Sequence, residues 1–246
     1  MRNYDNYEQS IVYDFELGNG GIADCIKFFI FILESCMKGG KRLYYKRNNI
    51  QLEKYVRLIY DTMYVDEDTL KKMTNVHITK PHNHYSETEF NFSIKISDIF
   101  YFTEEVKANR DSLLDPKVTV YNSIHLRLGD KYLETDKHFV LCKNDTRGYS
   151  EEKIFKYIED NNDKNIFFCC DNNSYKIKIK EKYPNIIVTS CNIGHTSLSN
   201  TTEKQVLDAI TEFYILTNSQ SIFCGSRSGF SSIAGKFNKI PMEHNN

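Results

Sequence analysis

The feature that most constrains the fold is the regular alternation of strand-like and helix-like segments after residue 117. Short β-branched and aromatic runs alternate there with segments whose apolar residues recur at helical spacing. Strands of this kind that alternate with helices predict a parallel sheet covered by helices on both faces. The predicted order is strand 118–128, helix 150–159, strand 165–170, helix 174–182, strand 186–189, helix 202–217, strand 221–224 and helix 229–237.

The N-terminal part begins with the same kind of unit. A strand over 10–17 runs into the glycine cluster GNGG at 18–21, and a helix follows over 22–37. The segment RLYYK predicts a second strand, and the apolar spacing over 52–63 predicts a second helix. Residues 74–117 show no clear pattern. The sequence therefore predicts two α/β halves, residues 1–117 and 118–246.

Composition limits the partners that such a protein can have. The chain has 246 residues, and its 32 basic residues nearly balance its 33 acidic ones, so no broad field attracts nucleic acid or an anionic membrane. Its most apolar stretch, 26–33, is far shorter than the roughly 20 residues of a membrane span. The polar N-terminus does not look like a signal peptide, and the seven cysteines form no CxxC pair. We expect a cytoplasmic protein with reduced thiols, and the sequence leaves its oligomeric state open.

Three features could bind an anion. The segment HLRLGD ends a strand and places His125 and Arg127 on one side, at the sheet edge where open α/β folds bind ligands. Glycine amides at 18–21 precede one helix, and a serine- and glycine-rich turn precedes another. Each feature alone also fits an ordinary ion pair or a plain connector. Together, two amide cradles and one arginine suit a diphosphate, with these cradle residues: Gly20, Gly21, Ser226, Ser228 and Gly229.

The motif HLRLGDK resembles the HxRxxDK element of the GDP-fucose-dependent transferases, which include the alpha-1,6-, alpha-1,2-, nodulation-factor and peptide O-fucosyltransferases. Residues 165–190 and 207–234 resemble, in the same order, the next two motifs of the alpha-1,6 group. The resemblance spans 118–236, and GNGGIADCI is similar in position and character to the glycine loop of that family.

The resemblance implies a GT-B-like fold, in which a cleft separates two Rossmann-like halves. It also implies an inverting, metal-independent transfer of a sugar, fucose in the first place, from a GDP-sugar to a glycan or another hydroxyl acceptor. The GDP-sugar is the donor substrate, and no further cofactor is implied. In this scheme Arg127 holds the β-phosphate, His125 and Asp208 contact guanine, and Ser228 completes the phosphate site with the amides of Gly20 and Gly21.

The same resemblance suggests which residues act on the acceptor. Glu134 is the nearest candidate for the general base, although it is offset by one residue from the alpha-1,6 pattern, and Asp136 comes next. Lys131 would lie near the acceptor, while Asp130 and Asp171 would have structural roles in the cleft.

Two observations leave an alternative open. Leu128 stands where the family commonly has a second arginine, and Glu134 is displaced. A catalytically degenerate protein that binds nucleotide-sugars or glycans would fit both. The segment DED at 66–68 could suggest a metal-binding DxD motif, but before TLKK it is better interpreted as the acidic first turn of a helix. No metal site is expected.

Overall fold

A computed structural model describes residues 9–86, 90–134, 142–191 and 194–245. The N-terminal half contains β1 (Ser10–Tyr13), α1 (Ile22–Lys38), β2 (Arg42–Lys46), α2 (Leu52–Tyr55), β3 (Val56–Leu58), β4 (Tyr64–Val65), α3 (Glu67–Lys72), β5 (Val76–Thr79), β6 (Phe100–Phe102) and α4 (Glu104–Leu113). The C-terminal half contains β7 (Asn122–Leu126), α5 (Glu151–Asp160), β8 (Ile166–Cys170), α6 (Asn173–Lys182), β9 (Ile187–Val188), α7 (Glu203–Thr217), β10 (Ile222–Cys224), α8 (Gly229–Phe237) and β11 (Met242–His244). Short 3₁₀ turns lie at Asp61–Met63, Pro81–His84, Ile96–Asp98 and Asp130–Tyr132.

Each half is built on a parallel sheet. The N-terminal sheet has the strand order β4-β2-β1-β5, and the C-terminal sheet has the order β11-β10-β7-β8-β9. Every described pairing within these two sheets is parallel. The predicted α/β class with parallel sheets is confirmed. All residues of β7 and β8 are buried, as expected for central strands covered on both faces.

The helix predicted over 52–63 is wrong. The helix α2 ends after one turn at Tyr55, and the chain continues as β3, which pairs antiparallel with β6. Val56 and Leu58 are buried and Arg57 is exposed, which is the alternation of a strand with one covered face. The partner strand comes from the region whose sequence shows no pattern, so a tertiary pairing overrides the local helical spacing.

The acidic segment at 66–68 starts a helix, as the sequence predicts. Asp66 is the N-cap of α3, and its side chain accepts a hydrogen bond from the Thr69 amide at 2.7 Å. Glu67 and Asp68 lie in the first helical turn, where carboxylates interact favourably with the helix dipole.

The two halves share one hydrophobic core. The largest cluster contains Ile26 and Phe29 of α1 together with Ile210 and Phe213 of α7. The helix α1 packs against α8, and α4 packs against α7. A second cluster fills the other face of the C-terminal sheet, beneath α5 and α6. The predicted division between residues 117 and 118 falls between α4 and β7 and stays a prediction.

Two further observations concern the surface and the thiols. No helix in the described ranges is long and apolar enough to cross a membrane. All seven cysteines are free, and Cys142 alone among them is exposed. The predicted cytoplasmic location stays a prediction.

Candidate active site

The site begins where the chain leaves the buried strand β7. Gly129 has a φ of +107°, and a Cβ added to it would lie 2.5 Å from the carbonyl oxygen of Asp145. Only glycine adopts this backbone without strain and leaves room for the neighbouring loop. The sharp exit predicted for HLRLGD therefore depends on this residue.

Two carboxylates hold the guanidinium of Arg127. It is paired with Asp130, and its Nη1 lies 3.0 Å from Oδ2 of Asp171. Asp171 also accepts hydrogen bonds from the amides of Leu128 at 2.7 Å and Gly129 at 3.1 Å. Burial raises the pKa of Asp171, while Arg127 and these amides oppose the increase. The predicted structural roles of Asp130 and Asp171 agree with this geometry, which fixes the direction of Arg127.

His125 is a neutral, buried histidine at the end of β7. Its ring stacks on Phe230 with a centroid distance of 5.2 Å, and its Nδ1 has no hydrogen-bond partner among the described residues. Burial lowers the pKa of His125 to about 3, and the positive charges of Arg127 and Lys176 act in the same direction. An unpaired buried nitrogen at the wall of a cleft is a candidate contact for a ligand.

The predicted anion-binding residues meet in one cleft of about 390 Å³. The cleft opens at the carboxyl ends of β7 and β8, between the starts of α1 and α8. Six of the predicted residues line it: Gly20, Gly21, His125, Arg127, Ser228 and Gly229. Arg127 therefore faces both the loop before α1 and the loop before α8.

The amides and hydroxyl of the two cradles are close to neighbouring polar groups. The Gly20 amide lies 3.3 Å from Oγ of Ser197, and the Gly21 amide lies 3.3 Å from Oδ2 of Asp24. Gly20 has a φ of +112°, a conformation that favours glycine. Ser228 is the N-cap of α8, and its hydroxyl accepts from the Phe230 amide at 3.2 Å. Both helices thus direct their positive ends into the cleft.

Two predicted binding residues face elsewhere. The Ser226 hydroxyl donates to the Arg127 carbonyl at 2.8 Å and accepts from the Arg127 amide at 2.9 Å, so it joins the ends of β7 and β10. Asp208 is buried against α4, where it binds Nδ2 of Asn109 at 3.1 Å and Nζ of Lys204 at 2.7 Å. These contacts correct the expected guanine contact of Asp208 and the expected phosphate contact of Ser226, because neither side chain lines the cleft.

Two of the predicted acceptor-side residues, Glu134 and Lys131, also lie outside the cleft walls. Glu134 accepts from the amides of Asn173 and Ser174, each at 2.8 Å, at the start of α6. Burial by itself would raise the pKa of Glu134, but these hydrogen bonds lower it. Lys131 is exposed, with its Nζ 5.6 Å from the centre of the Tyr132 ring. Asp136 lies outside the described residues.

The carboxylate of α7 that lines the cleft is Glu212, one helical turn after Asp208, and Asp24 and Asp171 line the cleft as well. Its Oε1 lies 2.5 Å from Nζ of Lys176 and also accepts from Thr189, and its Oε2 lies 3.3 Å from Sγ of Cys169. Burial alone would lower the pKa of Lys176, but Glu212 raises it above its usual range. The sequence holds a signal for this residue, because Glu212 interrupts the apolar face of the predicted helix.

Five more polar residues that the sequence analysis did not single out line the cleft: Asp24, Lys27, Arg147, His195 and Thr196. Nδ1 of His195 accepts from the Ser197 amide at 3.2 Å, which leaves the proton of the neutral ring on Nε2. Burial lowers the pKa of His195, Asp130 opposes this, and Arg127 adds to it. These residues come from three separate loops or helices, so their convergence is visible only in the folded chain.

No described group of three or more His, Cys, Asp or Glu side chains is arranged to hold a metal ion. No protein-family model matches the sequence, and no curated protein matches it.

The fold itself has clear relatives among solved structures. The NodZ alpha-1,6-fucosyltransferase, solved after soaking with GDP-fucose, is 11% identical, with 94% of this chain and 93% of that chain covered and a TM-score of 0.62. FUT1 of Arabidopsis thaliana in complex with GDP is 10% identical over 96% of this chain and 70% of that one, with a TM-score of 0.58. POFUT1 in complex with GDP is 11% identical over 98% and 99%, with a TM-score of 0.51.

The class that these likenesses define is an α/β fold of GT-B type. More particularly, the protein has the fold of the fucosyltransferases that use GDP-fucose, as the motif resemblance implies.

Proposed function

We propose that the protein is an inverting, metal-independent glycosyltransferase that moves a sugar, fucose in the first place, from a GDP-sugar to a hydroxyl group of a glycan or other acceptor. The observation that carries this proposal is the convergence of Arg127 with the starts of α1 and α8 on one cleft. The fold supports it, because solved structures with this fold include NodZ with GDP-fucose and POFUT1 with GDP.

The cleft is suited to a diphosphate. An arginine can form two charge-assisted hydrogen bonds to phosphate oxygens, and the positive ends of helix dipoles attract anions. Negative charge develops on the departing GDP when the sugar–phosphate bond breaks. Arg127 and the two helix starts already point at the position of this charge, so they can stabilise it without reorganising and lower the barrier. In other transferases a metal ion has this role.

Glu212 and His125 are positioned to recognise guanine through hydrogen bonds. A carboxylate accepts hydrogen bonds from N1 and N2 of guanine together, and adenine, uracil and cytosine do not offer this pair of donors. In this proposal Glu212 takes the role that the resemblance implies for Asp208, because Glu212 is the carboxylate of α7 that lines the cleft. Lys176 forms an ion pair with this carboxylate, and the unpaired Nδ1 of His125 offers a further contact.

Glu134 is a poor general base in this arrangement. Its two hydrogen bonds from the start of α6 stabilise the ionised form and tie the side chain to the helix. A protein that binds a nucleotide-sugar without turnover could have the same contacts and the apolar Leu128, but the likeness to fucosyltransferase structures does not favour that alternative. Binding and turnover must therefore be measured separately.

The binding test uses thermal denaturation of the purified protein with GDP, UDP and ADP. GDP at about 100 times its Kd should stabilise the protein by roughly 2.7 kcal/mol, and UDP and ADP should have little effect. Arg127→Ala should remove most of the GDP stabilisation, whereas Arg57→Ala, which removes an exposed charge on β3, should keep it. If wild type gains no stability from GDP, the proposal fails.

The turnover test measures GDP release from GDP-fucose and GDP-mannose, with and without a chelator. Release that continues in the chelator supports a metal-independent transferase. GDP binding without any release, even with a panel of glycan acceptors, would instead support the degenerate binding protein.

A further inference from the structure

Arg147 is a second arginine on the wall of the cleft, and it comes from a different part of the chain than Arg127. Its amide donates to the carbonyl of Leu128 at 2.9 Å, so its backbone lies directly beside the residue that follows Arg127. Leu128 is itself buried and apolar, so it brings no charge to this position.

The loop that carries Arg147 is docked firmly onto the end of β7. The Asp145 carbonyl accepts from the Lys131 amide at 3.2 Å, and the Asp145 carboxylate accepts from the Asp130 amide at 3.3 Å. The missing side chain of Gly129 gives the Asp145 backbone the space that it occupies. The position of Arg147 relative to Arg127 is therefore set by main-chain contacts rather than by a flexible tether.

Neighbouring carboxylates offset the positive charge that Arg127 brings to the cleft. Two carboxylates, Asp130 and Asp171, surround the guanidinium of Arg127, so this group of three is negative as a whole. A diphosphate brings further negative charge to the same place. A second cation near Arg127 would offset that repulsion, and its effect is large in a partly buried site where water screens charges weakly.

Arg147 is able to supply this charge. Its Nε lies 3.0 Å from Oδ1 of Asp145 and its Nη2 lies 3.2 Å from Oδ2, while its Nη1 makes no hydrogen bond with a described residue. Its side chain is 44% exposed, so a ligand can approach the guanidinium without displacing packed side chains. A planar guanidinium with one side held by a carboxylate presents its remaining donors in a fixed direction.

We propose that Arg147 binds the diphosphate of the nucleotide donor together with Arg127, as the second cation of the site. This inference rests on the proposed function, since it takes the ligand of the cleft to be a nucleoside diphosphate. Arg147 also borders a neighbouring cavity of about 380 Å³ that contains Tyr132, Tyr149 and Lys178. Arg147 therefore lies between the donor cleft and this neighbouring cavity.

The experiment compares GDP and GMP binding by calorimetry in wild type, Arg147→Ala, Arg147→Lys, Arg127→Ala and the control Arg57→Ala. Arg147→Ala should weaken GDP binding about tenfold or more, because a charge-assisted pair is lost, and should change GMP binding by less than about threefold. Arg147→Lys should fall between wild type and Arg147→Ala, because an ammonium keeps the charge but not the planar fork. Arg57→Ala should match wild type for both ligands.

The outcomes separate the two proposals. If wild type binds GDP and Arg127→Ala weakens it, but Arg147→Ala stays within twofold of wild type, the role of Arg147 is refuted and the proposed function survives. An equal loss for GDP and GMP would also refute it, because the effect would then not come from the second phosphate. If wild type does not bind GDP, both proposals fall. Circular dichroism checks that each variant is folded, and Arg147→Gln replaces Arg147→Ala if the latter is not.

Discussion

The buried, neutral state of His125 leads to a measurable loss of stability in mild acid. A histidine in the unfolded chain has a pKa of about 6.5. In the folded protein, burial lowers the pKa of His125 to about 3, with Arg127 and Lys176 acting in the same direction. Its Nδ1 also has no described acceptor that would stabilise a proton there. Protonation of His125 is therefore much easier in the unfolded chain.

The sign and size of the effect follow from this difference. As the pH falls below about 6.5, the unfolded chain binds a proton at this residue and the folded protein does not, so stability is full above that pH and is lost below it. Each pH unit between the two pKa values costs about 1.4 kcal/mol. From pH 6.5 to pH 5 the loss is roughly 2 kcal/mol, and it continues toward pH 3.

The assay is urea denaturation at pH 7.5 and pH 5, in wild type and in His125→Leu. Because other groups also titrate, the informative quantity is the drop in unfolding free energy between the two pH values, and this drop should be about 2 kcal/mol smaller in His125→Leu. The replacement of the exposed His82 by Asn should leave the drop as in wild type. Equal drops in wild type and His125→Leu would refute the reasoning.

Two further predictions concern the framework of the cleft. Lys176→Met leaves the buried Glu212 without its cation and should lower the unfolding free energy by about 3 to 5 kcal/mol in urea denaturation, whereas Lys176→Met combined with Glu212→Leu should recover most of the loss. Gly129→Ala should cost about 2 kcal/mol or more in the same assay, because of its positive φ and the 2.5 Å approach to the Asp145 carbonyl. Gly148→Ala, where an added Cβ meets nothing within 4 Å, should be nearly neutral, and similar losses at both glycines would contradict this explanation.

The C-terminal fold was predictable because its signals are local. Apolar periods of two and of about 3.6 residues alternate there, and the helix predicted over 229–237 has the same bounds as α8. Residues 52–63 were not predictable in this way. Their helical spacing is real, but Val56 and Leu58 are buried in a strand that pairs with β6, and β6 is distant in sequence.

The candidate site also has parts that the sequence predicts and parts that depend on the tertiary structure. The sequence by itself determined which residue types could bind a diphosphate: Arg127 and His125 at a strand end, and the glycine and serine turns before α1 and α8. Strand ends and helix starts can be recognised in a short window, and parallel α/β sheets bring them to one edge.

Only the tertiary structure decided which of two carboxylates on α7 faces the cleft. Asp208 and Glu212 lie one turn apart, and their sequence context does not separate them. The packing around α7 sets the outcome, because Asn109 of α4 engages Asp208 while Lys176 of α6 holds Glu212 one turn further along the helix. The placement of Arg147 beside Leu128 has the same physical origin, since it depends on main-chain contacts between two segments that are separate in sequence.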